Sequence, residues 1–174
     1  MPAESRQNNR KGLPAGRQGQ LLVEAIIAIS VMVIGLLGIF SLMSQSLGLY
    51  RIAYEEYVAA NLAAEGVEVV KSLIDTNIIT GGIPWNQGLA SDGNFGIQYN
   101  STTLDPTLTN KNLLYDEAAG LYNYTVGTAT GFKRTVAIKN VSADEIQVDS
   151  TVAWKSRGGI DLNVTLENHF FNWR

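Results

Sequence analysis

Residues 19–51 read GQLLVEAIIAISVMVIGLLGIFSLMSQSLGLYR, and between Glu24 and Arg51 lie 26 consecutive residues without a charge. From Leu21 to Met43 the side chains are mostly Leu, Ile, Val, Ala, Met and Gly. A run of about 20 such residues, rising 1.5 Å each as a helix, crosses a bilayer core of roughly 30 Å. The rest of the chain looks different. Over 174 residues the composition is 45% hydrophobic and 17% charged, with mean hydropathy +0.03, ordinary values for a globular domain. Charge is unevenly placed: Arg6, Arg10, Lys11 and Arg17 against Glu4 give residues 1–19 a net +3, and the remainder carries −6. An acidic body of this kind does not supply the clustered cations that general nucleic-acid binding needs, so no nucleic-acid partner is expected. There is no cysteine, which excludes a disulfide framework, a thiolate nucleophile and Cys-ligated zinc.

A short basic leader followed directly by an apolar run has the layout of an export signal. The run is longer than the 7 to 15 apolar residues of an ordinary secretory signal, so a membrane anchor is the simplest reading. That reading leaves Glu24 unexplained. A charge at such depth costs about 2.5 to 3.5 kcal/mol on insertion scales and marks a function or a partner. Glu24 is also the fifth residue after Gly19, whereas counting five from Gly12 or Gly16 reaches Arg17 or Leu21.

The pattern Gly19-Gln20-Leu21-Leu22-Val23-Glu24, followed by Ala25-Ile26-Ile27-Ala28-Ile29, resembles the type IV prepilin signal. The resemblance implies cleavage by a prepilin peptidase between Gly19 and Gln20, N-methylation of Gln20, and a role for Glu24 in assembly. In that family the glutamate pairs with the freed N-terminal amine of a neighbouring subunit. Gln20 departs from the Phe or Met most often found there, though minor pilins and pseudopilins vary at this position. The partners implied are the peptidase, other pilin or pseudopilin subunits and the cytoplasmic (inner) membrane, with residues 20–50 forming a single-pass span and then a filament core. The C-terminal domain would lie outside the cytoplasm, on a periplasmic or cell-surface filament.

No proline interrupts residues 20–75, and beyond Tyr50 the apolar residues Tyr54, Tyr57, Val58, Leu62, Val69, Val70, Leu73 and Ile74 recur at three- and four-residue steps. A single helix is expected to run from the apolar half into this amphipathic half, residues 51–75, with Tyr50, Tyr54, Tyr57 and Asn61 on the packed face. Gly35 and Gly38 each weaken the apolar half by about 1 kcal/mol relative to Ala. Two readings stand for them: close helix packing in a membrane, or, by the family resemblance, a hinge that melts on packing into a filament.

Residues 76–120 are punctuated by Gly81-Gly82, Pro84, Gly88, Asp92-Gly93-Asn94, Asp105-Pro106 and Gly120, and read as a variable loop region with short strands at residues 96–100 and 112–116. From Leu121 the alternation of an antiparallel sheet sets in, with strands over 121–126, 132–140, 145–155 and 160–170. Ile146, Val148, Ser150, Val152 and Trp154 share one face, as do Ile160, Leu162, Val164 and Leu166. The expected fold is α+β, a ladle in which the long helix packs on a meander of about four strands. The runs 132–138 and 152–155 and the tail Phe170-Phe171-Asn172-Trp173 are similar to minor pilins of the V type and minor pseudopilins of the I type.

Enzymatic chemistry finds little footing. His169 is the sole histidine, in an aromatic tail. The carboxylate pairs Glu55-Glu56, Asp116-Glu117 and Asp144-Glu145 are sequence neighbours, which do not face one another on a helix. Asp92-Gly93-Asn94 offers oxygen ligands but falls short of an EF-hand loop, so no metal and no cofactor are expected. Four glycosylation sequons begin at Asn100, Asn123, Asn140 and Asn163, in strand-and-turn sequence where Asn and Thr are common. The function expected is that of a structural filament subunit, a minor pilin or pseudopilin. The alternatives are a single-span anchored binding domain that never polymerises, or a membrane-bound hydrolase dependent on His169.

Overall fold

The structure is a computed structural model describing residues 15–172, with side chains from Gly19. Residues 1–14, the side chains of residues 15–18 and the terminal Trp173 and Arg174 lie outside the described residues, and with them most of the basic leader expected over residues 1–19. Helix α1 spans Ala15–Thr80, so it starts before Gly19 and runs five residues past the expected end at 75. Asn77 sustains the extra turns by donating from Nδ2 to the carbonyls of Trp85 and Gln87, which ties the helix end to the loop that follows. The chain divides within α1 into two compact units, residues 1–50 and 51–174.

In the first unit, every residue from Gly19 to Tyr50 is exposed, including the large side chains of Leu21, Ile26, Met32, Ile34, Phe40 and Leu42. The helix continues through Gly35 and Gly38 without interruption, and a Cβ added at either meets nothing within 4 Å.

The second unit is α+β. Its sheet contains β1 (Gly93–Phe95), β2 (Asn112–Asp116), β3 (Leu121–Asn123), β4 (Thr128–Ser142), β5 (Glu145–Lys155) and β6 (Asp161–Phe171) in the order β3-β2-β4-β5-β6, all pairings antiparallel. Six strands form where about four were expected, and the simple meander holds only for β4, β5 and β6. β4 is long because two partners share one of its edges: β2 reaches Thr128 to Lys133, and β1 takes Val136 to Ile138. This pairing carries β4 through the turn expected at 127–131. Strand β3 ends early because Asn123 Oδ1 accepts from the amides of Thr125 and Val126, which folds the chain back. The strand expected at 96–100 is displaced to Gly93–Phe95, and Gly96 instead bridges Asp105. Ile160 lies in the turn before β6 and is exposed.

Two apolar clusters join α1 to the inner face of the sheet. One gathers Val69, Val70 and Ile74 with Leu89, Ile97, Val136, Ile138, Ile146 and Val148. The other gathers Ala59, Leu62 and Ala63 with Leu113, Val152 and Trp154. Tyr54, Tyr57 and Asn61 do not join them, contrary to the periodicity reading. The approach of helix to sheet is set by the methyl groups of Ala59 and Ala63 and the missing Cβ of Gly66, which seat the backbone close, and the tyrosines fall outside the contact. Between the clusters lies a polar seam. Arg134, fully buried, donates from Nη1 to the Leu62 carbonyl at 3.0 Å and from Nε and Nη2 to the Ile97 carbonyl at 3.2 and 2.6 Å. Its Nη1 also stands 3.1 Å from Glu65 Oε1, a charge contact without hydrogen-bond alignment.

Candidate functional site

Gly19, Gln20, Val23, Glu24, Ile27 and Ala28 line one shallow, open strip of α1. The spacing explains this: Gly19 to Val23, Gln20 to Glu24 and Val23 to Ile27 are each i to i+4 steps, which stack on one helix face. Gln20 and Glu24 are therefore one turn apart, about 6 Å along the axis. The Glu24 carboxylate is exposed and makes no hydrogen bond or ion pair among the described residues. The strip thus presents the Gly19-Gln20 peptide and a carboxylate unpaired among the described residues on one face, at the head of an exposed apolar helix. Within that helix Ser30 disposes of its hydroxyl by donating to the Ile26 carbonyl at 2.8 Å. Among the described residues, this is the one helix long and apolar enough to cross a membrane.

The other polar residues singled out in the sequence are dispersed. His169 on β6 contacts Glu145 Oε1 through Nδ1 at 2.7 Å and Glu167 Oε1 through Nε2 at 3.1 Å. Hydrogen bonding to Glu145, then to Glu167, raises its pKa above the usual histidine value. The ring stacks near Phe171, with centroids 6.4 Å apart. In each acidic pair at least one carboxylate is engaged on its own, apart from its sequence neighbour. Glu55 accepts from Trp154 Nε1 at 3.2 Å, Asp116 caps the β2–β3 turn through the amides of Ala118 and Ala119, and Asp144 accepts from Asn172. Asp92 Oδ1 accepts from both the backbone and side-chain nitrogens of Asn140, at 2.8 and 2.9 Å, and the backbone bond is the larger cause of its lowered pKa. Asn123 and Asn140 are thereby committed to internal bonds, whereas Asn100 and Asn163 are exposed.

What the sequence reading missed is the seam at Arg134. The signal was present: Arg134 is in phase with Val136 and Ile138, so strand alternation places it on the buried face with its carbonyl and carboxylate partners opposite. Comparisons with protein-family models, curated proteins and solved structures gave no match to the chain.

Proposed function

We propose that this chain is a structural subunit of a type IV pilus or of a type II secretion-like pseudopilus, as a minor pilin or pseudopilin. The observation that carries the reading is the shared helix face of Gly19, Gln20 and Glu24 at the head of an exposed, uncharged apolar run. A prepilin peptidase cuts between Gly19 and Gln20 and removes the cationic leader. The new ammonium at Gln20, a site for N-methylation, and the Glu24 carboxylate are each costly in hydrocarbon when unpaired. Pairing the ammonium of one subunit with Glu24 of the next makes their burial tolerable and sets axial register. The apolar side chains of residues 20–50 exchange lipid for neighbouring helices, with Gly35 and Gly38 as close-packing or hinge positions. On this reading the chain is a single-pass cytoplasmic-membrane protein before assembly, with its sheet domain outside the cytoplasm. It works without a catalytic site or cofactor.

The test is Glu24→Ala in cells expressing the other filament components. The variant is expected to insert in the membrane at wild-type level and to be lost from sheared filaments or pseudopili by about tenfold or more, the loss of one buried charge pair corresponding to at least 1.4 kcal/mol. Undiminished incorporation would overturn the role of Glu24 and favour a non-polymerising anchored domain.

A further inference from the structure

On the face of the sheet opposite α1 a trough of about 520 Å³ is lined by Asn112, Gly131, Lys133, Ala153, Lys155, Asp161 and Asn163, with Trp154 and Leu162 of the apolar cluster also bordering it. Its shape follows from strand register. Asn112, Lys133, Ala153 and Asn163 stand opposite one another on β2, β4, β5 and β6, forming one row across four strands. The methyl of Ala153 between two longer side chains leaves a depression, and Gly131 extends it, since a Cβ there would meet nothing within 4 Å.

Charge and hydrogen-bonding capacity narrow the ligand. Lys155 Nζ is held by Asp161 Oδ1 at 2.6 Å, whereas Lys133 makes no ion pair among the described residues, so the trough carries a net +1. The side-chain amides of Asn112 and Asn163 likewise make no hydrogen bond there. An ammonium only donates, but an amide both donates and accepts, which suits hydroxyl groups that do the same. Of the residues that line the trough none is an arginine and none opens a helix, the two features that favour phosphate. Its volume is that of a small-molecule site.

We propose that this trough binds an acidic saccharide, with Lys133 taking the sugar carboxylate, Asn112 and Asn163 the ring hydroxyls, and Ala153 the apolar ring face. The site lies wholly within residues 51–174 and does not depend on the filament reading. It is tested by titrating the full chain in neutral detergent micelles with trigalacturonate at about 50 mM salt, where surface charge is weakly screened. Saturable binding is expected. Lys133→Ala, an exposed substitution, should weaken it about tenfold or more, and Lys139→Ala, on the same face near the other end of β4, should change it less than about twofold. A neutral galactose trimer should bind at least about tenfold more weakly than the uronate. Absence of saturable binding, equal loss at Lys139, or equal binding of the neutral trimer would overturn the proposal. Glycerol phosphate competing as well as trigalacturonate would overturn the saccharide assignment in favour of oxyanions in general.

Discussion

Gly66 and Ser150 show how tightly single residues constrain the join of helix and sheet. A Cβ at Gly66 would fall 2.2 Å from Ser150 Oγ and 3.2 Å from Ser150 Cβ. The Ser150 hydroxyl is buried and without a hydrogen-bond partner. Removing it deletes an uncompensated polar group, so Ser150→Ala is expected to stabilise the full chain by about 1 kcal/mol in denaturant titrations monitored by tryptophan fluorescence. Gly66→Ala should destabilise by roughly 1 to 3 kcal/mol, overriding the gain of about 1 kcal/mol that Ala ordinarily brings to a helix interior. In the Ser150→Ala background that penalty should shrink, because the nearest obstructing atom is gone. Equal penalties in both backgrounds would refute this geometry. Arg134 is more demanding: Arg134→Ala strands the Ile97 carbonyl and Glu65 and removes a second acceptor bond at the helical Leu62 carbonyl, with an expected cost of about 3 to 5 kcal/mol. Glu65, 30% exposed, can rehydrate, which places the cost toward the lower end.

At the scale of elements, β6 is held at its C-terminal end by the histidine cluster. The raised pKa of His169 means that its contacts with Glu145 and Glu167 contribute stability fully below the unfolded-state value near 6.5, and that this contribution fades as pH rises through the higher folded-state value. Thermal melts of the wild type and His169→Gln should therefore converge as pH rises from about 6 to about 8. A gap that persists or widens would contradict the cluster as drawn. Asp92 acts in the opposite sense: its lowered pKa adds stability above its unfolded value of 3.8, lost as pH falls through the folded value.

Elements were unequally legible in the sequence. The α1 helix, the alternation of β5 and the short strand β2 follow from periodicity, which is a local property. The bounds of β3 and β4 and the position of β1 do not, because they depend on which edge pairs with which and on a side-chain cap at Asn123. The tyrosines were misplaced for a related reason. Periodicity finds a stripe on a helix, but the small residues Ala59, Ala63 and Gly66 decide which stripe meets the sheet. That Gln20 and Glu24 share a helix face follows from their spacing, and the processing role rests on the resemblance, whereas the trough at Lys133 needs four strands in register and has no linear signature.

For the whole molecule, the apolar surface of residues 19–50 and the net charges of the leader and body follow one logic. Side chains such as Ile34 and Leu42, 70% and 69% accessible, form an apolar surface of the kind that marks a membrane or protein contact, in line with the function proposed above. Residues 1–19, at +3, suit retention on the cytoplasmic side of a membrane, and the processing proposed above would leave a chain of net charge −6. Processing is expected at one bond, between Gly19 and Gln20. It is tested by the intact mass and N-terminal sequence of the protein recovered from membranes of cells with and without a prepilin peptidase. The account predicts a chain beginning at Gln20 only where the peptidase is present. An intact Met1 leader in both strains would contradict it.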